Sequence, residues 1–332
     1  MPTTKPVVTV TGATGFVGRC FIARLLRENT HHVRCLVRRN SDVSALQALS
    51  ADISFHYGDI TRADTLAEAF KDAWGVVNLA GYREFWSQRK EHFYDLNERG
   101  ARNVFQASLD AGVQKVVQVS TPLAYGVPAH LPFDEQTPAG PHPSHYARSK
   151  HLGDMAGWQL HETAQLPLTV VHLAAVIGAG DDKATMEIKR AVEGKLPALV
   201  GADTTYTYVY VKDAADAIAA ALLKKDTVGR SYLIGNQRST TRDYFKTIAR
   251  LAGVPAPDRN IPESVLLPFA IGLELIARWT GKRPMLPVDV LKTTAAGSLL
   301  FDASRSIEEL GMSYTPLETA LAESVAQIMS AR

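Results

Sequence analysis

Two cysteines, Cys20 and Cys35, are all that 332 residues contain. That scarcity excludes a disulfide scaffold, and the pair reads as small buried thiols of a reducing compartment. Long apolar runs are missing too. The longest in the C-terminal third, Val265 to Leu273, is nine residues, contains Pro268 and is followed by Glu274 and Arg278. It is too short to span a bilayer, so no membrane span is expected. Charge of one sign is absent: 36 basic and 34 acidic residues leave a formal +2. No nucleic-acid or polyanionic partner is therefore implied. Met1-Pro2-Thr3-Thr4-Lys5-Pro6 leads into the first strand without the charged and apolar regions of a signal peptide. No internal repeat or low-complexity tract appears. The expectation is a cytoplasmic protein.

What the chain does have is a glycine-spaced turn behind a β-branched strand. Val7 to Val10 is the strand, Gly12, Gly15 and Gly18 follow at intervals of three, and Phe16 onward reads as a helix. A tight bend, close backbone approach to a pyrophosphate and close helix-on-strand packing all ask for glycine at such positions. The helix N-terminus, through Thr14, Gly15, Phe16 and Val17, presents free N–H groups to the phosphates.

At 46% apolar composition the chain can bury a full core. Strand-like and helix-like segments alternate through the first two-thirds, which predicts a Rossmann-type doubly wound parallel sheet. Further strands are expected at His32–Val37, Ser54–Tyr57, Val76–Leu79, Lys115–Val119 and Leu168–Val176. Helices are expected from a cap at Thr61 to Phe70, across Phe93–Ala111, and around Tyr146 and Lys150. After Asp181 the rhythm changes. The dinucleotide-binding domain is expected over residues 1–180 and about 207–235, with a smaller, mainly helical substrate cap over about 181–206 and 236–332.

Tyr146 and Lys150 stand four apart. On a helix that spacing places both on one face, about 6 Å apart along the axis. A neighbouring ammonium favours the phenolate, so Lys150 is expected to lower the Tyr146 pKa toward neutrality. A second Tyr-x-x-x-Lys, Tyr208 and Lys212, lies in a strand pattern, where four residues span roughly 13 Å, and is read as structural. Ser120-Thr121 ends the fifth strand, at the carboxyl edge where open α/β sheets hold ligands. Where an acidic residue would grip a ribose 2′-hydroxyl, the chain reads Leu36-Val37-Arg38-Arg39-Asn40. Arg38, assisted by Arg39, suits a 2′-phosphate, so NADP is the expected cofactor and NAD the second choice. His142 and His145 lack a third ligand, and no metal is expected. Tyr82, Phe85 and Trp86 follow the fourth strand as pocket walls, and His145 is placed to touch substrate. The apolar helix Val265–Trp279 is read as a cap over an apolar substrate rather than a membrane contact, since lysine and arginine are scarce on it.

Eight motifs then occur in order. They are Thr11-Gly12-x-x-Gly15-x-x-Gly18, Gly58-Asp59-Ile60, Asn78-Leu79-Ala80-Gly81, Asn97-x-x-Gly100-x-x-Asn103 and Ser120-Thr121-x-x-x-Tyr125-Gly126, with Tyr146-x-x-Ser149-Lys150, Val211-x-Asp213-x-Ala215-x-Ala217 and Tyr232-x-Ile234-Gly235 after them. Together they resemble the extended short-chain dehydrogenase/reductases, the NAD-dependent epimerase/dehydratase family. The general look is nearest the dihydroflavonol reductase and 3β-hydroxysteroid dehydrogenase side, which also holds hopanoid-associated sugar epimerases. The resemblance implies Tyr146 as acid/base, Lys150 on the nicotinamide ribose, Thr121 as the catalytic hydroxyl and Ser120 beside the cofactor. It also implies adenine contacts from Asp59 and Ile60, a groove lined by Ala80 and Gly81, and Asn97 anchoring its helix within the catalytic set. Many relatives read Arg-Pro or Asn-Pro where this chain has His172-Leu173, and Gly-Pro where it has Gly178-Ala179-Gly180-Asp181, so His172 is taken as a substrate-side position.

The expected activity is NADP-dependent reduction of a carbonyl, or oxidation of a secondary alcohol, on a small and partly apolar molecule. The alternative is a nucleotide-sugar epimerase that retains NAD. A redox-sensing binding protein ranks third, because Thr121, Tyr146 and Lys150 are intact. A sugar 4,6-dehydratase is not expected, since Pro122 and Leu123 occupy the two positions after Thr121 where those enzymes carry a carboxyl pair. The partner is a small-molecule substrate, and a homodimer stays open.

Overall fold

The computed structural model describes residues 5–181 and 184–330. The leading residues Met1–Thr4 and the point just past Asp181 lie outside them. Strand β1 is Val7–Thr11, β2 His32–Val37, β3 Ser54–Tyr57, β4 Ala73–Asn78, β5 Lys115–Ser120 and β6 Leu168–Leu173. Then come β7 (Ala175–Ile177), β8 (Leu199–Val200), β9 (Thr205–Tyr210), β10 (Arg230–Ile234), β11 (Gln237–Thr240) and β12 (Asn260–Ile261). Seven strands form one sheet in the order β10-β6-β5-β4-β1-β2-β3, and every pairing in it is parallel. The order reverses direction between β1 and β4, so the crevice above their carboxyl ends is the ligand position of such sheets.

Local chemistry explains the frame. Val8 and Val10 are fully buried in β1, and the Thr9 hydroxyl donates to the Ala69 carbonyl at 2.9 Å, so a polar residue sits in the core without an orphaned group. Helix Phe16–Glu28 covers one face and stops where Asn29 turns left-handed. It packs on the alanine-rich helix Val211–Leu223, whose small side chains allow close approach, and Arg24 ties it to Asp216. Full burial of Ile22, Leu25, Ile218 and Leu222 between them contributes about 1.5 to 3 kcal/mol per side chain.

Three expectations are corrected. The sixth strand breaks after Leu173: the Ala174 N–H still reaches the Ile234 carbonyl, and the next residues cross to a second sheet of order β11-β9-β7. Thr61 caps no long helix; its hydroxyl donates to Asp59 Oδ1, and a 3-10 turn at Ala63–Thr65 precedes a short helix at Ala67–Phe70. The helix across Phe93–Ala111 is likewise composite, with a wide turn at Asp95–Arg99 between Glu91–Tyr94 and Gly100–Asp110.

On the other side of the crevice, helices Ala184–Val192, Thr241–Ala252 and Leu317–Ser330 enclose a second core with Tyr208, Tyr244, Ile248 and Leu321. Helices Glu263–Thr280 and Val288–Ala295 pack on each other beside the loop after β4.

Candidate active site

The glycine turn is built for a ligand. Gly12 has φ +66°, and a Cβ there would stand 2.6 Å from the Ala80 nitrogen; at Gly18 it would stand 2.4 Å from the Gly12 carbonyl oxygen. Side chains are excluded by backbone at both places, so the turn lies flat against the β4 loop and the helix against the turn. Gly15 caps the helix without any side-chain bond to its free N–H groups. Thr14, Phe16 and Val17 thus surround an open, electropositive helix end suited to a pyrophosphate. Beneath it the Thr11 hydroxyl donates to Asn78 Oδ1 and accepts from the Ala80 N–H at 3.1 Å, which holds Ala80 and Gly81 at the wall of the crevice. Arg19 bonds the carbonyls of Thr14 at 2.8 Å and Gly180 at 3.2 Å, bracing the turn against the loop after β7.

At the β2 end, a groove of about 690 Å³ is lined by Arg38, Asp59, Thr61, His92, Arg99 and Arg102 among others. Arg38 faces this groove, whereas the Arg39 guanidinium lies over the Tyr57 ring, 5.7 Å from its centre. Asp59 Oδ1 is engaged by the Thr61 N–H and hydroxyl. Ile60 does not present its side chain to the groove. It is 4% exposed and packs into the core against Gly100, while its carbonyl accepts from Asn103 Nδ2 at 2.8 Å.

Helix His145–Ala164 delivers Tyr146 and Lys150 to the carboxyl ends of β5 and β6, its first turn capped by the Ser144 side chain on the Ala147 N–H. The Thr121 hydroxyl stands beside the Tyr146 phenol and works against the rise in its pKa. Burial pushes the Tyr146 phenol up to about 12, and the cation opposing that rise is Arg83. The expected lowering by Lys150 is not what the structure holds. The Lys150 ammonium is buried and donates to the Val119 carbonyl at 2.8 Å, and burial lowers its own pKa against the pull of Asp154. Asn97 is buried in the wide turn; its amide bonds both backbone groups of Tyr82 and the Ser149 hydroxyl, locking the β4 loop to the catalytic helix.

Other expected positions divide. Ser120 turns inward and donates to Asp154, one helical turn past Lys150. His172, expected beside the substrate, is 3% exposed and lies behind Thr121; Nδ1 donates to the Thr121 carbonyl at 3.2 Å, leaving Nε2 to accept from Ser231. Its work is to fix the end of β5. Tyr82 is only half-buried, its hydroxyl on the Trp86 carbonyl and its ring edge-on to His92 and Phe93. Trp86, His145 and Phe85 line a second groove of about 690 Å³ whose outer wall is helix Glu263–Thr280. Phe85 meets the Tyr146 ring edge-on at 5.7 Å, so one wall residue of this groove packs against the catalytic tyrosine. The second Tyr-x-x-x-Lys is apart from all of this: Tyr208 stacks on Tyr244, and Lys212, which lies on the next helix, bonds Glu323.

Sequence reasoning missed Arg83 and Asp154. Arg83 pairs with the buried Asp181 at 3.1 Å, a contact across 98 positions that no local pattern announces. Asp154 is 4% exposed, and its Oδ1 has no hydrogen-bond partner among the described residues. Its place one turn past Lys150 on the same face was the signal that could have found it.

A parallel seven-stranded sheet, a phosphate-cradling turn at its switch point and a Thr–Tyr–Lys cluster beside it define a dinucleotide-dependent enzyme of the doubly wound class. The profile of the NAD dependent epimerase/dehydratase family matches residues 8–235, and the chain belongs to that family, the extended short-chain dehydrogenase/reductases, whose members use NAD(P). It is 29% identical over 325 residues to a putative dihydroflavonol 4-reductase of Synechocystis, covering 95% of this chain and 92% of that one. Sterol demethylase protein B of Methylococcus capsulatus is 26% identical over 324 residues, 96% of each. Among solved structures, gox2253 superimposes with a TM-score of 0.83 at 30% identity, over 98% of this chain and 99% of that one.

Proposed function

We propose that the protein is an NADP-dependent carbonyl reductase, or secondary-alcohol dehydrogenase, for a small and partly apolar substrate in the cytoplasm. The observation that carries this reading is the clustering of the half-buried Tyr146 phenol, its pKa pushed up to about 12, with Thr121 and the buried Lys150 at the sheet's carboxyl edge. When bound, the nicotinamide supplies the hydride that the carbonyl carbon accepts. Thr121 and Tyr146 hold the carbonyl oxygen between their hydroxyls, and Tyr146 gives its proton to that oxygen as negative charge develops. Lys150 orients the ribose, and Arg83 supplies positive charge that steadies the phenolate left behind. The open helix end at Gly15–Val17 holds the pyrophosphate. Arg38, with Arg102 on the same groove, holds the 2′-phosphate. Phe85, Trp86, Leu267 and Ile271 give the neighbouring groove an apolar wall among charged residues, and relatives named for a flavonoid and a sterol agree with a partly apolar substrate.

The test is a cofactor titration followed by turnover with small aldehydes and ketones. Stoichiometric loss of NADPH with alcohol formation supports the reading. Tightly retained NAD with no net consumption, and interconversion of nucleotide sugars, replaces it with the epimerase.

A further inference from the structure

Helix Glu263–Thr280 has three faces of different character. Ala270 and Ala277 are buried, so it rests on the protein through small residues. Leu267, Ile271, Glu274 and Arg278, four and three apart, line the groove whose Phe85 wall packs on Tyr146. The third face points away from both. Val265, Phe269, Ile276 and Trp279, four, seven and three apart and so on one face, are 64%, 54%, 60% and 90% exposed, with Met285 just beyond at 70%. A contiguous apolar stripe ending in a nearly naked tryptophan is far from the scattered single exposures of ordinary surfaces.

We propose that this face docks on the surface of an anionic lipid bilayer, and that the groove behind it receives an apolar substrate dissolved there. Charge selects this occupant. Arg278 and Lys282 flank Trp279 at the exposed end of the stripe, and in the groove alongside Arg89, Lys90, Arg278 and Lys292 outnumber Glu91, Glu274 and Asp289. Arg283 is the exception, being held by Glu84 at 2.8 Å. A second copy docked two-fold on the same patch would bring these cations against their equivalents, whereas anionic headgroups complement them. Tryptophan at the end of an amphipathic helix is placed as at a headgroup boundary. The sequence argument that cations are scarce on this helix holds for the helix alone; the basic residues are gathered from Lys282 and the β4 loop. Because one helix carries both faces, an apolar molecule can pass from the bilayer to the groove without crossing water. That second half rests on the reductase reading, whereas the docking does not.

Sedimentation with vesicles tests the docking without any turnover. The wild-type chain is expected to pellet with phosphatidylcholine vesicles containing phosphatidylglycerol, to release as salt rises, and to bind pure phosphatidylcholine weakly. The triple variant Phe269→Ser, Ile276→Ser, Trp279→Ser should lose at least roughly tenfold in partition. Lys282→Gln should lose roughly fivefold on anionic vesicles alone. These side chains stand outside the groove, so NADPH turnover of a water-soluble carbonyl in vesicle-free buffer stays unchanged. Trp279→Phe gives an independent reading: the blue shift of fluorescence on anionic vesicles should vanish with it, although Trp74, Trp86 and Trp158 remain. The proposal fails if the wild-type chain stays in the supernatant, if the triple variant pellets equally, or if the wild type is a dimer that the triple variant makes monomeric. Absent turnover with intact vesicle binding would instead remove the reductase reading and leave the docking standing.

Discussion

Replacing Tyr146 by phenylalanine removes one oxygen atom from a half-buried site, and its consequences can be separated. With its pKa near 12, the phenol is ionised in only about one molecule in 100,000 at pH 7. The residue therefore waits as a proton donor, and the variant loses a general acid rather than a charge. Such a loss lowers turnover by about 100- to 10,000-fold, or about 3 to 5.5 kcal/mol of transition-state stabilisation. Fold stability changes far less. Thr121 keeps the Leu123 N–H as partner at 3.4 Å, and the Phe85 contact uses the ring, so the cost is about 1 kcal/mol. Cofactor affinity stays the same, because Lys150 is held by the Val119 carbonyl and not by the phenol. Steady-state kinetics, a melting curve and a fluorescence titration with NADPH read the three quantities separately. Tyr208→Phe, which keeps its stack on Tyr244, is the control. Turnover within tenfold of wild type for Tyr146→Phe, or equal losses in both variants, would refute the assignment.

Carbonyl reduction should be flat in rate from about pH 6 to 8, while alcohol oxidation, which needs the phenolate, rises about tenfold per pH unit below the raised Tyr146 pKa; an oxidation optimum near pH 6 contradicts this. Arg38→Ala should weaken NADPH binding by roughly 10- to 150-fold through loss of a charge-assisted contact, with NADH unaffected; isothermal titration with both cofactors reads it. Gly18→Ala forces a Cβ to within 2.4 Å of the Gly12 carbonyl oxygen, so it should cost about 1 to 3 kcal/mol of stability and displace the phosphate turn. Unchanged melting and cofactor affinity in that variant refute the packing argument. Nucleotide-linked hexoses should give no 4-keto-6-deoxy product, since Pro122 and Leu123 follow Thr121; loss of one water by mass spectrometry contradicts it.

What could be read along the chain was what local backbone chemistry controls. Three glycines after a valine-rich strand foretell a turn because Gly12 and Gly18 leave no room for a Cβ. A four-residue interval on a helix brings Tyr146 and Lys150 to one side. The first, second, third and fifth strands appear within a residue of their expected bounds, whereas the fourth starts three residues earlier, at Ala73. What could not be read depends on residues far apart in the chain. Whether Lys150 lowers a tyrosine pKa turns on burial and on the Val119 carbonyl, and neither is a property of spacing. Arg83 meets Asp181 only because two loops converge over the crevice. His172 faces the back of Thr121 instead of the cleft because β6 alternates its side chains and that face is covered by Tyr125. The break after Leu173 is hidden in a mainly apolar run from Leu168 to Ile177 interrupted by no glycine or proline, and the pairing of β7 with β9 reveals it.

The most direct measurement follows the hydride and the proton donor together. NADPH carrying deuterium at both positions of the nicotinamide C4 is mixed with an apolar ketone and enzyme, and the product is analysed by mass spectrometry and NMR. The account predicts one deuterium on the carbinol carbon, one NADP formed per alcohol, and the same label at a rate at least about 100-fold lower with Tyr146→Phe. Tightly held, unlabelled NAD with no alcohol formed, or equal labelling rates in the two proteins, would contradict it.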